Sequence, residues 1–271
     1  MSIPAFKPDS FTYTDSPNPS WSYGQPVASS PVGKEWLKGE DEGWKLVNAE
    51  TENPGSLYAL MVSGIVPRPV AFVSSISEDG VENLSPFSWF NMVTHSPPVV
   101  SISFASKSPS SLKDTAQNII SNPSAGFTVN IISEPFVEGA NATAVDAPAE
   151  VSEWGVSGLT KEASLKVKAA RVKESAFSME CELLQSIPIT HPETGISTTT
   201  LILGLVKYIH VRNDVLTPKG TVDPAKLKAV SRLGDISYAR VGDAFRLGRP
   251  AWKDEGERIL AEVGGRNGER N

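Results

Sequence analysis

The residues best suited to chemistry lie in a serine- and lysine-rich loop just before a predicted helix. The loop is Ser106-Lys107-Ser108-Pro109-Ser110-Ser111-Leu112-Lys113-Asp114-Thr115. A serine in this loop can cap a helix over residues 111–121. Free backbone N–H groups at a helix start, with hydroxyls and lysines nearby, form a natural site for a phosphate group. An ordinary strand, loop and capped helix would give the same pattern, so spacing alone leaves both interpretations open.

The segments before the loop predict the strands that must position it. In residues 100–104, three apolar side chains alternate with two serines, the period-two pattern of a half-buried strand. Residues 70–77 predict another strand, and Asp79-Gly80 predicts a tight hairpin turn that leads back to Leu84. The stretch from Asn83 to Asn91 therefore follows directly after a hairpin.

Local signals elsewhere predict short strands, one long hairpin and few helices. Such a pattern favours a mostly β fold, an antiparallel barrel with helical insertions, and no Gly-x-Gly-x-x-Gly motif follows a strand to support a Rossmann fold. The predicted strands are 127–131, 166–172, 175–189, 198–211 and an edge at 214–216. The predicted helices are 56–61 with Ser56 as cap and Gly64 as end, an alanine-rich region 135–154, a brief helix after Asp223-Pro224, and an exposed helix in the tail.

Composition limits the classes of partner and site. A net charge of −6 argues against a broad nucleic-acid surface, because such surfaces depend on lysine and arginine. A single cysteine, Cys181, excludes an internal disulfide and is expected in the core, and three scattered histidines make a histidine-rich metal site improbable. No apolar run approaches the roughly 20 residues that cross a bilayer, and no signal peptide is evident, so we expect a cytoplasmic chain without membrane contact.

Three regions differ in composition. Residues 1–55 hold seven of the 21 prolines and three widely spaced tryptophans, Trp21, Trp36 and Trp44, which predicts an arm that packs on its own fold or on a partner subunit. Residues 56–242 form the predicted domain. Residues 243–271 form a charged, glycine-broken tail.

Many short motifs, in order, resemble the flavin reductase-like, FMN-binding split-barrel family. The resemblance covers about residues 56–240. It rests on Val66-Pro67-Arg68-Pro69-Val70-Ala71-Phe72-Val73-Ser74-Ser75, Asn83-Leu84-Ser85-Pro86-Phe87-Ser88, Phe90-Asn91, Pro97-Pro98, Lys113-Asp114-Thr115 with Asn118-Ile119, Phe127-Thr128-Val129-Asn130, Glu153 with Gly158-Leu159-Thr160, Arg171-Val172, Glu180-Cys181-Glu182 and Arg232-Leu233-Gly234.

The resemblance implies a homodimer of six-stranded Greek-key split barrels with FMN near the subunit interface. Carried over by motif, the residues expected around the flavin ring and ribityl chain are Asn83, Leu84, Ser85, Phe87 and Ser88, with Ser74 nearby. Those expected around the phosphate are Ser103, Lys113, Asp114 and Thr115. A carboxylate repels a phosphate, so Asp114 is assigned a capping or ribityl hydrogen-bond role instead.

Several residues keep two interpretations. Arg68 could reach the phosphate or the ring's carbonyl edge, or form a structural salt bridge. Asn130 could bind the cofactor or a neighbouring strand. Trp89 and Phe90 could stack over the ring or pack in the core. Arg232 is the cofactor-binding candidate from the late loop.

Two acidic residues lie close together but do not predict a catalytic site. Glu180 and Glu182 flank Cys181 on one strand, so they share one face, which is most simply a solvated one. No nucleophilic triad or metal cluster is evident in the sequence, and the family resemblance implies that FMN carries the chemistry.

The family implies an FMN-dependent oxidoreductase that takes hydride from NADH or NADPH and passes electrons to free flavin or another small-molecule acceptor. One alternative is an electron-transfer protein like the flavoredoxins, without its own nicotinamide site. Another is a binding module without enzymatic activity.

Overall fold

The structure, a computed structural model, describes residues 3–8, 11–108 and 111–267. The chain divides into two compact units. One contains the residues up to Pro54 and those from Gly242 onward, and the other is Gly55–Val241. Among the described residues, no helix is both long and apolar enough to cross a membrane.

The regular elements are mostly strands. They are β1 (Tyr13–Thr14), β2 (Ala71–Ile76), β3 (Glu82–Phe87), β4 (Phe90–His95), β5 (Pro98–Ala105), β6 (Phe127–Ile131), β7 (Lys161–Glu162), β8 (Arg171–Val172), β9 (Phe177–Thr190), β10 (Ser197–Val211), β11 (Val230–Arg232), β12 (Tyr238–Arg240) and β13 (Ala244–Phe245). The α-helices are α1 (Pro31–Leu37), α2 (Pro54–Gly64), α3 (Asp114–Ser121), α4 (Val137–Ala142), α5 (Trp154–Ser157), α6 (Pro224–Leu227) and α7 (Trp252–Asn267). Short 3-10 helices lie at Val27–Ser29, Lys38–Glu42, Pro123–Ala125, Glu134–Phe136 and Asn213–Val215.

The first unit joins the two ends of the chain. β1 pairs in parallel with β13, and the backbone N–H of Tyr23 donates to Glu262 Oε2 at 2.8 Å. The side chains of Trp36 and Trp44 are 80% and 89% exposed. Packing of the arm on its own fold or on a partner subunit stays a prediction.

The second unit is built on one antiparallel sheet of seven strands, in the order β3-β2-β6-β9-β10-β5-β4. Its two edge strands, β3 and β4, are joined by only Ser88 and Trp89. A two-residue connection between opposite edges requires the sheet to curl back on itself. The mostly β, antiparallel prediction is confirmed. The sheet has seven strands, where six were expected, and the Greek-key arrangement stays a prediction.

The sheet carries a core on each face. Phe127 and Val129 of β6 pack with Ile102 and Phe104 of β5 in one cluster, which also contains the buried Cys181. The second cluster includes Phe72, Leu84 and Trp154, from the opposite face. Strands β2 and β6 are therefore covered on both sides, and their polar residues are buried as well.

The hairpin before the site is confirmed, whereas the helix after it starts late. Gly80 has φ 84°, a left-handed conformation that glycine adopts without strain, at the predicted turn. The backbone N–H of Lys107 donates to Ser111 O at 2.8 Å, so the backbone of Ser111 is held against Lys107. Helix α3 therefore begins at Asp114 with Lys113 as N-cap and no side-chain cap. The prediction that a loop serine caps this helix is wrong for Ser111. The other candidate, Ser110, lies outside the described residues.

Other elements confirm or correct the predictions. The long hairpin of β9 and β10, the strand β6 and the brief helix α6 with Asp223 as its cap are confirmed. The region 135–154 holds only short helices with a loop between them, and this loop contains Pro148, which interrupts a helix. The strand expected at 166–172 is limited to β8, and the edge expected at 214–216 is a 3-10 helix instead.

Glu180 corrects the prediction of a solvated face. Its carboxylate is fully buried and accepts hydrogen bonds from three consecutive backbone N–H groups, residues 165–167, at 2.6–3.1 Å. His210 Nε2 lies 2.6 Å from its Oε1. Burial alone would raise the pKa of Glu180, but these hydrogen bonds, led by Leu165 N–H, outweigh burial and lower it. Glu182 does lie at the surface, 3.3 Å from Lys207 Nζ.

Candidate functional site

A small polar cleft lies where the start of α3 meets β3. Along β3, Asn83, Ser85 and Phe87 alternate, so their side chains share the face on which α3 packs. The cleft is lined by these three residues and by Lys107, Lys113, Asp114, Thr115, Ala144, Val145, Asp146, Ala147 and Glu153. The structure thus brings six of the predicted site residues together.

The two lysines of the cleft have different surroundings. Lys107 Nζ lies 2.9 and 3.1 Å from the carboxylate oxygens of Asp114. This hydrogen bond is the main reason that the pKa of Lys107 is raised. The side chain of Lys113 is exposed and makes no hydrogen bond or ion pair with the described part of the chain. Lys113 is therefore the lysine available to an anionic ligand.

Asp114 does not have the capping role assigned to it. The N-cap of α3 makes no side-chain hydrogen bond, and the carboxylate of Asp114 is held by Lys107. Asp114 is the first residue of α3, where the helix dipole favours a negative charge. Its interaction is thus an ion pair that closes the loop before the helix.

A buried hydrogen-bond network fixes α3 against β3. Thr115 Oγ1 donates to Asn83 Oδ1 at 2.5 Å, and Asn83 Nδ2 donates to Glu153 Oε2 at 2.9 Å. Ser75 Oγ lies 3.5 Å from Asn83 Oδ1 and accepts from Asn118 Nδ2 at 3.1 Å. Asn83 therefore uses its amide to join α3 to Glu153, and it also lines the cleft.

Glu153 is a carboxylate of the cleft wall that is almost fully buried. It is 4% exposed, and its Oε2 also accepts from the backbone N–H of Leu84 at 3.1 Å. Burial raises the pKa of Glu153, and the nearby charge of Asp114 adds to the effect. The hydrogen bonds from Leu84 and Asn83 act in the opposite direction but do not cancel it.

The aromatic residues of the site are partly in the core. Phe87 lines the cleft and also contacts Phe104 edge-on, with ring centroids 4.5 Å apart. Phe90 packs against the same core cluster and does not line the cleft. Trp89 is exposed, with its ring centroid 6.4 Å from that of Tyr58. Of the three, Phe87 is the one placed to contact a ligand in the cleft.

Arg68 has a structural role, although not the predicted salt bridge. Its guanidinium is buried and donates to the carbonyls of Val62, Ile65 and Leu233, the last two at 2.7 and 2.8 Å. Its Nε lies 3.4 Å from Ser88 Oγ. Because these contacts occupy the guanidinium around the end of α2, neither Arg68 nor Ser88 lines the cleft.

Asn130 and Arg232 also bind the protein itself. Asn130 is fully buried; its Nδ2 donates to Phe72 O at 3.0 Å, and its Oδ1 accepts from Ser178 Oγ at 2.7 Å. Of its two interpretations, the structure therefore shows Asn130 bound to neighbouring strands. Arg232 donates to two carbonyls of its own loop, residues 235 and 236, and stacks on Tyr238 at 4.7 Å.

The remaining predicted residues lie away from the cleft lining. Ser74 and Leu84 pair across β2 and β3, and Leu84 packs in the core on the face opposite Asn83. Ser74 Oγ is buried without a hydrogen-bond partner among the described residues. Ser103 lies on β5 and pairs with Leu201 of β10, and the backbone N–H of Ser103 donates to Trp89 O at 2.9 Å.

Three parts of the cleft are missing from the predicted site. Lys107 belongs to the serine- and lysine-rich loop and Glu153 to one of the family motifs, but neither is predicted to bind the cofactor. The segment 144–147 lies in the region predicted to be helical, and its place in the cleft follows from the end of α4 at Ala142, which the sequence did not predict.

Comparisons with known proteins agree on the family. The sequence model of the family described as "Flavin reductase like domain" matches residues 62–226, a range that includes the whole cleft lining. A protein of Aquifex aeolicus is 37% identical over 192 residues, which covers 71% of this chain and 93% of that relative.

Solved structures agree with the fold. Nitrilotriacetate monooxygenase component B from Bacillus cereus is 35% identical, covers 76% of this chain and 99% of its own, and superposes with a TM-score of 0.71. A split-barrel domain protein from Shewanella frigidimarina is 19% identical, covers 76% and 100%, and has a TM-score of 0.65. The second likeness supports a split-barrel fold only.

Removing the hydroxyl of Thr115 should loosen the network beneath the cleft. Thr115→Val keeps the shape of the side chain but leaves Asn83 Oδ1 with only the long contact to Ser75, which should cost about 1–3 kcal/mol of the free energy of unfolding. Thr115→Ser, which keeps the hydroxyl, is the control and should lose less. Chemical denaturation measures both, and a Thr115→Val variant as stable as the wild type would contradict the proposed bridge.

Proposed function

The chain belongs to the flavin reductase-like family, and from this premise we propose that it is an FMN-binding oxidoreductase. In this proposal it takes hydride from NADH or NADPH and delivers electrons to free flavin or another acceptor. The observation that carries the proposal is the cleft at the start of α3. There Lys113, whose side chain has no ion-pair partner among the described residues, and a helix start lie beside the polar and aromatic face of β3.

The donors at the start of α3 suit the phosphate end of FMN. The first backbone N–H groups of a helix have no partner within the helix, and the helix dipole favours an anion there. The first i to i−4 bond of this region runs from Gln117 N–H to Lys113 O, so the N–H groups of residues 114–116 precede it. Lys113 would add a charge-assisted hydrogen bond.

The face of β3 suits the rest of the cofactor. Ser85 and Phe87 present a hydroxyl and an aromatic ring to the same cleft. Bound FMN would supply the hydride chemistry itself, while the protein supplies binding, orientation and control of solvent. In this proposal Asn83 contributes indirectly, because its hydrogen bonds hold β3 and α3 in position.

One relative supports an acceptor outside this chain. Component B of a nitrilotriacetate monooxygenase, at 35% identity, is one component of an oxygenase system. By analogy, electrons collected here would leave for a second protein or a diffusible flavin. The exposed position of Lys113 is consistent with a site open to small ligands.

We also propose a homodimer. Edge strand β4 carries Met92 and Val93, which are 68% and 53% exposed within this chain. Exposed apolar residues on a sheet edge favour contact with another chain. A second copy of this chain is the partner that the family resemblance implies.

The central test is an anaerobic titration of the purified, FMN-loaded chain with NADH and with NADPH. If the chain is an NAD(P)H oxidoreductase, one of the two nicotinamides should bleach the visible flavin absorbance. Bound flavin that stays oxidised with both, yet is reduced once a redox protein is added, would replace this proposal with the electron-transfer alternative. A colourless chain without affinity for FMN would overturn both.

Reversing the charge of Lys113 should separate recognition of the phosphate from recognition of the ring. Lys113→Glu should weaken FMN binding by at least about tenfold, because a hydrogen bond to a charged group contributes about 1.5–3 kcal/mol. Riboflavin, which lacks the phosphate, should bind the variant and the wild type equally. Lys219→Glu, a reversal on an exposed turn outside the cleft, is the control. Fluorescence titration measures all of these affinities, and unchanged FMN affinity in a folded Lys113→Glu chain would refute the site.

A charge on β4 should weaken the proposed dimer. Met92→Asp would place a carboxylate in an apolar contact and should raise the dimer dissociation constant by about tenfold or more, which corresponds to about 1.4 kcal/mol. Leu165→Asp, at an equally exposed apolar residue of a loop, is the matched control. Light scattering across a concentration series gives the masses, and a wild-type monomer, or a Met92→Asp dimer as stable as the wild type, would exclude this edge.

A further inference from the structure

The charges of the cleft wall are unfavourable for a dianionic ligand. Its two lysines, Lys107 and Lys113, face three carboxylates, those of Asp114, Asp146 and Glu153. Lys107 and Asp114 neutralise one another through their ion pair. The remaining wall therefore has one lysine and two carboxylates, so a phosphate monoester meets net negative charge as long as both carboxylates are ionised.

The two remaining carboxylates differ in their exposure. Asp146 is exposed, so solvent and salt screen its charge. Glu153 is almost fully buried, so its charge is screened much less and acts on the cleft more strongly. Removing the charge of Glu153 would thus change the field in the cleft most.

Few charged groups compensate Glu153 directly. From α3 it faces Asp114, whose charge adds to the rise in its pKa. From the loop after β5, Lys107 feels the charge of Glu153 but is held by Asp114. Lys161, which lies 5.6 Å from the ring of Trp154, is held by Glu82 of β3. Lys113 and Asp146 complete the charged lining.

The hydrogen bonds of Glu153 allow a neutral form in place. Both donors, Asn83 Nδ2 and Leu84 N–H, bind the same oxygen, Oε2. A proton on Oε1 would leave these two bonds intact, because Oε2 would still accept both. Glu153 can thus lose its charge without releasing β3.

We propose that Glu153 is a positioning residue that takes up one proton from solvent when a phosphate monoester binds at the start of α3. The inference rests on the proposed FMN site and deepens it. In the ionised form Glu153 holds Asn83 and opposes the phosphate; in the neutral form it holds Asn83 without opposing the phosphate. A dianion placed nearby favours the neutral form, as any like charge does. The affinity for the phosphate end of a ligand therefore falls as pH rises.

The test is calorimetric titration of FMN into the full chain in two buffers of different ionisation enthalpy. The wild type should take up more protons per FMN than Glu153→Gln, whose amide keeps an acceptor for both donors but cannot titrate. Glu153→Gln should bind FMN about three- to tenfold more tightly at pH 8, since one pKa unit corresponds to a factor of ten, and the difference should shrink toward pH 5. Riboflavin should show no difference in proton uptake.

Two variants serve as controls. Glu153→Asp keeps a titratable carboxyl and should retain the uptake, whereas Glu182→Gln, outside the cleft, should behave as the wild type. Equal proton uptake in the wild type and Glu153→Gln, with FMN bound by both, would overturn the inference and leave the proposed function intact. If Glu153→Gln does not fold, the proton uptake of the wild type on FMN binding is compared with the protonation change of the FMN phosphate itself. Uptake beyond that change supports the inference, and its absence overturns it.

A measurement without flavin separates the two failures. A carboxyl whose pKa is raised on folding contributes stability below its unfolded pKa that is lost as pH rises through the folded pKa. Relative to the melting temperature of the wild type, that of Glu153→Gln should therefore rise between pH 5 and pH 8. If the chain binds no flavin, the proposed function fails. The same calorimetry with inorganic phosphate then tests Glu153, and equal proton uptake by both chains would overturn its role as well.

Discussion

The candidate site depends on the buried bridge that runs from Thr115 through Asn83 to Glu153. β3 is an edge strand, so the sheet holds it on one side only. Glu153 covers the other side, where it accepts from the backbone N–H of Leu84 as well as from the Asn83 amide. Hydrogen bonds are directional, whereas apolar packing is not. The bridge therefore sets how the start of α3 faces the outer half of β3.

The hydrogen bonds of Glu153 also explain why a carboxylate is tolerated inside the protein. A buried charge is costly unless its lone pairs are satisfied, and Glu153 has two N–H donors on one oxygen. The apolar residues of α3, Ala116 and Ile119, pack in the core and supply stability of the ordinary kind. The polar residues fix one orientation of α3 relative to β3, and the apolar packing offsets the free-energy cost of burying them.

Local sequence patterns predicted the strands and turns that frame the site, whereas polar contacts between separate segments could not be predicted from such patterns. The Asp79-Gly80 turn and the alternation in β5 are set locally, and both were found. The start of α3 was misplaced because Ser111 accepts from the backbone of Lys107, a loop contact that no propensity shows. The solvated face expected for Glu180 is instead covered by residues 165–167, which lie 13–15 residues earlier in the chain, and Arg68 donates to carbonyls from two separate segments. Of the predicted site, the six residues on one face of β3 and at the start of α3 lie together in the cleft, because the alternation along β3 was predicted correctly and α3 packs on that face.

The placement of Asp114 shows how a helix start can be kept ready for an external anion. As the first residue of α3, Asp114 brings an internal negative charge to the end where the helix dipole attracts one. Left alone, this carboxylate would oppose a ligand for the same positive field. Lys107 neutralises it through a short ion pair, so Asp114 can stabilise the helix without filling the site. Lys113 is left with no such partner among the described residues, and the preference of the cleft for a charged ligand then rests on that lysine, the backbone N–H groups and the state of Glu153.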